Sequence, residues 1–180
     1  MSIDGFIAGP NSEMDWMVWN WDDKLKEYIN EITEPVDCIV LGRKLAQGFI
    51  PHWTAAFNNP DGAEEGSKKM VETPKIVFTK TLKKSEWDNT IIANGDLVDE
   101  ITKLKNQNGG DIIVYGGASF VSSLIKHGLI DELHLLINPT AIAKGMSIFK
   151  ELDSTQNFNL IKAIPFECGI VVLNYEPKHN

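Results

Sequence analysis

The chain has 180 residues, of which 43% are hydrophobic and 23% charged, and it carries a formal net charge of -8 at pH 7. Nucleic acid is excluded as a general partner by this acidic balance, because phosphate backbones require a basic surface. The length suits one domain over residues 1–180 with its own core. With no bilayer-length apolar run and no signal peptide at the start, we expect a cytoplasmic protein without a membrane partner.

The first half of the chain alternates amphipathic segments with short apolar runs. Helical spacing of Leu25, Tyr28, Ile29 and Ile32 predicts a helix over 22–33. The next elements are a strand at 36–41, a surface loop or mobile flap at 51–66 that is rich in Pro, Asn, Asp and Gly, and strands at 75–79 and 90–93.

The second half begins with a helix through Leu97, Ile101 and Leu104, with Asp96 as its N-cap. A strand at 111–115 and a helix over 119–127, which stops at Gly128, come next. The remaining predicted strands are 132–138, 158–163 and 168–175. Since these last three are not separated by long helical patterns, the sequence predicts an α/β fold with a mixed, mostly parallel sheet, an antiparallel C-terminal strand and flanking helices.

Arg43 is the only arginine in the chain, and it directly follows the apolar strand 36–41 and Gly42. A guanidinium offers a planar fork of donors that matches phosphate oxygens, and the start of the following helix also favours an anion. The pattern is consistent with an anion site or with a structural ion pair.

Two other strand ends carry features that can hold a phosphate. Thr79, Lys80 and Thr81 follow one strand, and the double glycine Gly116-Gly117 follows another and precedes a helix. Ligands of α/β sheets collect at the carboxyl ends of strands, so these turns and Arg43 are expected to converge on one extended polyanion. A dinucleotide with an additional 2′-phosphate fits this combination, whereas a simple turn is the alternative for the glycine pair.

Aromatic and acidic side chains cluster before the first predicted helix. Trp16, with two further tryptophans nearby, can form the wall of a pocket for a planar heterocycle or can hold the helix to the core. Asp22 and Asp23 lie at the start of that helix, where carboxylates commonly act as caps. A carboxylate facing a pocket would instead bind the polar edge of a substrate.

Neither cysteines nor histidines suggest a metal centre. Cys38 and Cys168 lie in apolar runs without C-x-x-C spacing, which fits buried reduced thiols. The histidines, His52, His127, His134 and His179, have no ligand spacing. We therefore expect no metal.

Several motifs together resemble the dihydrofolate-reductase fold, in particular the reductase domain of the riboflavin-biosynthesis deaminase-reductase, the RibD C-terminal type. The matching segments are residues 2–9 (Ser-Ile-Asp-Gly-Phe-Ile-Ala-Gly), 39–44 (Ile-Val-Leu-Gly-Arg-Lys), 75–82, 114–117 (Val-Tyr-Gly-Gly) and 131–135 (Asp-Glu-Leu-His-Leu). Relatives have a further hydrophobic half-strand before the first motif and often carry consecutive glycines where residues 141–145 stand. The resemblance implies a single three-layer domain and, as in relatives, a homodimer through the distal strands.

The resemblance also implies NADPH as cofactor and assigns residues by position. Ile7 and Ala8 would flank the nicotinamide, Asp4 would pin the first loop, and the Trp16 region would cover the substrate. Either Asp22 or Asp23 would anchor the polar edge of the substrate. The phosphate and adenosine groups would meet Gly42, Arg43, Lys44, Thr79, Lys80, Thr81, Gly116, Gly117, Ala118, Ser119 and Phe120. The peptide bond between Gly116 and Gly117 is expected to be cis.

The function predicted from these residues is hydride transfer from NADPH to a heterocyclic small molecule of pterin or pyrimidine type, such as 5-amino-6-(5-phosphoribosylamino)uracil. The alternative is a catalytically inactive nucleotide-binding or interaction protein that retains the fold. The three candidate acids, Asp22, Asp23 and Glu27, keep this alternative open.

Overall fold

The computed structural model describes residues 1–64 and 66–178, so Glu65 of the predicted loop and His179 lie outside the described residues. The helices are α1 (Asp23–Thr33), α2 (Arg43–Phe57), α3 (Ser67–Glu72), α4 (Leu97–Lys105) and α5 (Ala118–Lys126). The strands are β1 (Val36–Gly42), β2 (Lys75–Phe78), β3 (Thr90–Ala93), β4 (Asp111–Val114), β5 (Leu133–Ile137), β6 (Phe158–Pro165) and β7 (Val171–Pro177).

The chain divides into two compact units. Unit 1 consists of Met1–Ile29 and Ala118–Asn180, and unit 2 of Asn30–Gly117. Unit 2 holds a four-stranded parallel sheet in the order β3-β2-β1-β4, and unit 1 holds a three-stranded antiparallel sheet in the order β5-β7-β6. The strands that sequence patterning predicted as parallel and the strands that it predicted as an antiparallel end thus form separate hydrogen-bonded sheets.

The core of unit 2 forms around β1, which is paired on both sides. Ile39, Val40 and Leu41 of this strand are almost completely buried, which explains their unbroken apolar run. Helix α2 packs Ala46 and Ile50 into the same cluster, whose other members are Val36, Met70 and Val77. Burying such side chains stabilises a fold by about 1.5–3 kcal/mol each.

The predicted loop at 51–66 is wrong for its first part, because residues 51–57 belong to α2. Pro51 lies inside this helix. The apolar residues Ile50 and Trp53 keep a helical spacing across the proline and contact the core cluster of unit 2, which compensates for the missing N–H donor.

Unit 1 buries apolar side chains from α5, from the antiparallel sheet and from the segments beside them. The buried residues include Val121, Leu124, Ile125, Leu133, Ile148, Ile170 and Val172. Strand β6 is an edge strand with a register shift between Leu160 and Lys162, and Leu160 and Ile161 are exposed. Within the described residues, no helix has the length and apolar character that crossing a membrane requires.

Candidate functional site

The carboxyl ends of four parallel strands lie along one edge of the sheet in unit 2. Gly42 of β1 pairs with Phe78 of β2, which in turn pairs with Ala93 of β3, while Val40 of β1 pairs with Val114 of β4. The turns that follow these strands, residues 42–44, 79–82, 94–96 and 115–117, form what we call the carboxyl edge. The prediction that the Arg43, Thr79 and Gly116 turns share one edge is therefore confirmed, while their ligand roles stay predictions.

Arg43 begins α2 at the centre of the carboxyl edge. The cap residue Gly42 makes no side-chain hydrogen bond to the helix, and the first turn of α2 contains no acidic residue. Arg43 is half-buried and donates to Gln47 Oε1 over a long 3.4 Å, and Lys44 beside it is exposed. A long bond within one helix gives little stability, so the guanidinium is available to a ligand.

The turn after β2 (residues 79–82, the Thr79 turn) is closely hydrogen-bonded. The buried Thr79 Oγ1 accepts the backbone N–H groups of Thr81 (3.1 Å) and Leu82 (3.3 Å), which is the geometry by which threonine stabilises turns. Asn94, which follows β3, donates its amide to the carbonyls of Thr79 (2.7 Å) and Leu82 (2.9 Å). Lys80 is exposed at this turn.

The double glycine after β4 does not contain the cis bond that the resemblance implied. The peptide bond between Gly116 and Gly117 is trans, and φ is +58° at Gly116 and +82° at Gly117. The chain turns by placing two successive residues in the left-handed region, where glycine meets no steric penalty. Ala118 then starts α5 and is buried, Ser119 is exposed and Phe120 is half-buried.

In unit 1, the first loop is fastened to residues 140–146. Asp4 accepts hydrogen bonds from the backbone N–H groups of Ile142 (3.1 Å) and Ala143 (2.7 Å). Ile7 N–H donates to Met146 O, and Met146 N–H donates to Ala8 O, each over 2.8 Å. Asp4 therefore pins the first loop as expected, and the segment that was assigned to the nicotinamide has a fixed backbone.

The pKa of Asp4 is lowered first by a hydrogen bond from Ser2 and then by the two backbone donors. One of these donors, Ala143, has a left-handed φ of +64°, which alanine adopts only at a cost. The hydrogen bond to Asp4 offsets part of that cost. Gly145 in the same loop lies so close to Ala8 O and Phe6 that a Cβ would overlap them.

The tryptophans before α1 differ in how they are held. The indole N–H groups of Trp16 and Trp21 donate to carbonyls three residues earlier, Glu13 O (3.1 Å) and Val18 O (2.9 Å). Trp16 is half-buried, whereas Trp19 is 60% exposed. The role of Trp16 as a cover for substrate stays a prediction.

The candidate acids at α1 also differ. Asp22 accepts hydrogen bonds from Leu25 N–H and Cys168 N–H, both at 2.9 Å, and the bond from Cys168 is the main cause of its lowered pKa. Asp22 thus caps α1 and ties it to the β6–β7 turn, as the capping alternative proposed. Asp23 is fully exposed and has an ion pair with Lys26 at 3.8 Å.

Two residues of possible functional importance escaped sequence reasoning. Lys150 donates to Ser119 Oγ at 2.8 Å and so brings a cation to the first turn of α5, although it lies in a turn with no motif. Asn94 holds the Thr79 turn from a neighbouring strand. The sequence Asn-Gly-Asp directly follows β3, and this turn-forming sequence at the end of a parallel strand could have identified Asn94.

Metal ligands do not cluster in the part of the chain that the structure describes: residues 1–64 and 66–178 contain no group of at least three His, Cys, Asp or Glu side chains that could hold an ion. Both cysteines are free thiols. Burial, and secondarily Asp37, raises the pKa of Cys38 to about 11.

Comparison with known proteins agrees with this architecture. The RibD C-terminal domain matches residues 1–172. The chain belongs to that family. The uncharacterized protein YyaP of Bacillus subtilis (strain 168) is 34% identical over 179 residues, covering 97% of this chain and 90% of YyaP.

Two solved structures show the same fold. A diaminohydroxyphosphoribosylaminopyrimidine deaminase/5-amino-6-(5-phosphoribosylamino)uracil reductase from Thermotoga maritima has a TM-score of 0.69 and 18% identity, covering 98% of this chain and 54% of its own. Dihydrofolate reductase from Enterococcus faecalis, complexed with NADP(H) and RAB-propyl, has a TM-score of 0.63 and 17% identity, covering 99% of this chain and 93% of its own. The predicted dihydrofolate-reductase-like α/β fold is confirmed.

Proposed function

We propose that this protein is an NADPH-dependent reductase that acts on a pterin- or pyrimidine-type heterocycle. The observation that carries the proposal is the strand order β3-β2-β1-β4, which aligns the Arg43, Thr79 and Gly116 turns along one carboxyl edge. Two proteins of the same fold support it: the name of the Thermotoga protein includes 5-amino-6-(5-phosphoribosylamino)uracil reductase, and the Enterococcus enzyme is complexed with NADP(H).

The chemistry of the carboxyl edge fits a polyanion with several phosphates. Although the chain carries a net charge of -8, Arg43, Lys44 and Lys80 bring three cations to the adjacent ends of β1 and β2. A guanidinium binds phosphate oxygens in a bidentate manner, and each lysine adds a point charge. Asp96 caps α4 after β3, and its carboxylate would disfavour a second anion there, so we assign the phosphates to the ends of β2, β1 and β4.

In unit 1, the first turn of α5 is a further candidate for contact with phosphate. Its first turn contains no acidic residue, and Lys150 donates to Ser119 there. Glycines at 116 and 117 allow a ligand to approach the backbone closely, because no Cβ intervenes. We assign the pyrophosphate to residues 116–120.

In unit 1, Ile7 and Ala8 are our candidates for the nicotinamide contact. NADPH, when bound, would supply a hydride to the heterocycle. The chain would contribute orientation, through the loop that Asp4 fastens and the indole groups before α1. Asp23 is our preferred anchor for the polar edge of the substrate, since Asp22 is engaged by two backbone donors.

Thermal unfolding with NADPH and NADH tests the cofactor assignment. A ligand at about 100 times its Kd adds about 2.7 kcal/mol of stability, so NADPH is expected to raise the Tm clearly. Loss of reduced-nicotinamide absorbance is then followed with dihydropterins, oxidised pterins and ribosylamino-uracils as acceptors. The absence of a Tm shift with either dinucleotide would contradict the proposal at its first step.

A second candidate function is nucleotide binding without turnover. It is favoured by the engagement of Asp4 and Asp22 with backbone donors, whereas Asp23 has an ion pair with Lys26 at 3.8 Å. Binding of NADPH without oxidation by any acceptor, together with unchanged binding of those acceptors in Asp23→Asn, would support this function instead.

A further inference from the structure

Two side chains hold the Thr79 turn, one as a hydrogen-bond acceptor and the other as a donor. On one side the Thr79 hydroxyl accepts the N–H groups of Thr81 and Leu82. On the other side the single amide nitrogen of Asn94 donates to the carbonyls of Thr79 and Leu82. Thr79 and Leu82, at the two ends of the turn, are therefore both bound to the residue that follows β3.

This hydrogen bonding limits how the turn can recognise an anion. The N–H groups of residues 81 and 82 already have an acceptor, so the turn differs from glycine-rich loops that bind phosphate through successive amides. An anion would therefore be bound by exposed side chains of the turn. Lys80 is the main candidate, because it lies between Thr79 and Thr81, whose hydroxyl groups are hydrogen-bonded to each other.

A lysine selects an anion only if its backbone is held in place, because the side chain itself is flexible. Asparagine suits that task here, since its amide presents two N–H donors in one plane and can hold two carbonyls at once. Aspartate has no such donor when ionised, and serine has one. A backbone hydrogen bond of 3.1 Å from Thr79 N–H to Ala93 O also joins the turn to β3.

We propose that Asn94 is a positioning residue for cofactor selection: it holds the Thr79 turn so that Lys80 meets the 2′-phosphate that distinguishes NADPH from NADH. This inference rests on the proposed function. Asn94 acts through Lys80, and it contacts neither the reacting atoms nor the substrate.

The test measures the Kd of 2′,5′-ADP, 5′-AMP, NADPH and NADH by titration calorimetry for wild type, Asn94→Ala and Asn94→Ser. Loss of two hydrogen bonds is expected to weaken NADPH and 2′,5′-ADP about tenfold in Asn94→Ala and less in Asn94→Ser. Affinity for NADH and 5′-AMP should stay within about twofold. Asn108→Ala, at the exposed loop before β4, is the matched control and should behave as wild type.

A double-mutant cycle separates positioning from general damage. Lys80→Gln should lower the preference for NADPH over NADH, and adding Asn94→Ala to it should lower that preference no further. Additive losses, or equal weakening of NADPH and NADH, would overturn the role of Asn94 and leave the proposed function intact. If Asn94→Ala does not fold, Asn94→Ser in the same cycle decides. Wild type that binds none of the four ligands would overturn the inference and the proposed function together.

Discussion

The two units use their charged side chains in opposite ways. At the carboxyl edge of unit 2, the cations Arg43, Lys44 and Lys80 are half-buried or exposed, and Arg43 is engaged by a single long bond of 3.4 Å to Gln47. In unit 1, the carboxylates Asp4 and Asp22 accept backbone N–H groups of distant segments at 2.7–3.1 Å.

The charged side chains of unit 1 and those of unit 2 thus have different functions. The carboxylates of unit 1 join parts of the chain that lie far apart in sequence, so they contribute to the shape of the loops. The cations of unit 2 lie on turns whose backbones are already fixed by strand pairing and by hydrogen bonds such as those of Asn94. We therefore expect changes in unit 1 to affect stability and changes at the carboxyl edge to affect binding.

The largest effect is expected from Gly145→Ala in unit 1. The new methyl would overlap the Ala8 carbonyl and press on Phe6, so the loops must separate. We expect a loss of about 2–4 kcal/mol in the free energy of unfolding, measured by urea titration. Gly48→Ala in α2 is the control: nothing lies within 4 Å of its Cβ, and a stabilisation of about 0.5–1 kcal/mol is expected. Equal stability of the two variants would contradict the close packing at Gly145.

The second largest effect is expected on NADPH binding at the carboxyl edge of unit 2. Arg43→Ala should raise the Kd for NADPH about 10- to 100-fold, because hydrogen bonds to charged groups contribute about 1.5–3 kcal/mol. Its Tm without ligand should stay close to that of wild type. Arg43→Lys keeps the charge without the planar fork of donors, so its Kd for NADPH should lie between those of wild type and Arg43→Ala. Unchanged NADPH affinity in Arg43→Ala would remove the arginine from the cofactor site.

A smaller effect, with a defined pH dependence, is expected from Asp22→Asn. The folded-state pKa of Asp22 is lowered by the Cys168 and Leu25 N–H groups, so its stabilisation is present above the unfolded value of about 3.9 and is lost as pH falls through the folded value. The Tm difference between wild type and Asp22→Asn should therefore be largest near neutral pH and shrink in acid. Asp23→Asn, which changes an exposed neighbour, should hardly change the Tm. A constant Tm difference across this range would contradict the capping role.

The last prediction concerns thiol reactivity, which reports on local burial and not on stability or ligand binding. In a Cys168→Ser variant, Cys38 of β1 should react with a disulfide reagent at pH 8 about a hundredfold more slowly when folded than in denaturant. The reason is that burial raises its pKa to about 11, against about 8.5 for a free thiol. Cys38→Ser retains the thiol of Cys168 and serves as the control. Equal rates in the folded and unfolded protein would show that β1 is open to solvent.

Much of the fold was predictable because its strands are short, apolar and well separated. The runs at 36–41 and 75–79 correspond to β1 and β2, and Asp96 caps α4 through Val98 and Asp99 as predicted. The loop prediction for residues 51–57 was wrong because it relied on composition. Pro51 suggests a loop, but the packing of Ile50 and Trp53 against the core stabilises the helix.

The candidate site was predictable only in part. Strand order follows from parallel pairing, so the alignment of the Arg43, Thr79 and Gly116 turns could be inferred. The conformation at Gly116 could not, because a cis bond and two left-handed glycines are both compatible with the same sequence. Likewise, the Cys168 partner of Asp22 lies 146 residues away and the partners of Asn94 lie 12–15 residues away, and local pattern carries no information about such contacts.

Unit 1 is assembled from two stretches of chain, with the whole of unit 2 inserted between them. Ile3 N–H reaches Thr140 O at 2.8 Å, so a ribosome releases one half of this contact long before the other half is synthesised. The continuous unit 2 can thus form its parallel sheet first, and unit 1 closes afterwards at the entropic cost of a long intervening loop. During synthesis, the segment with Ala8 and Leu25, both buried in the finished fold, is without its later partners, so the nascent chain is especially open to proteolysis and aggregation.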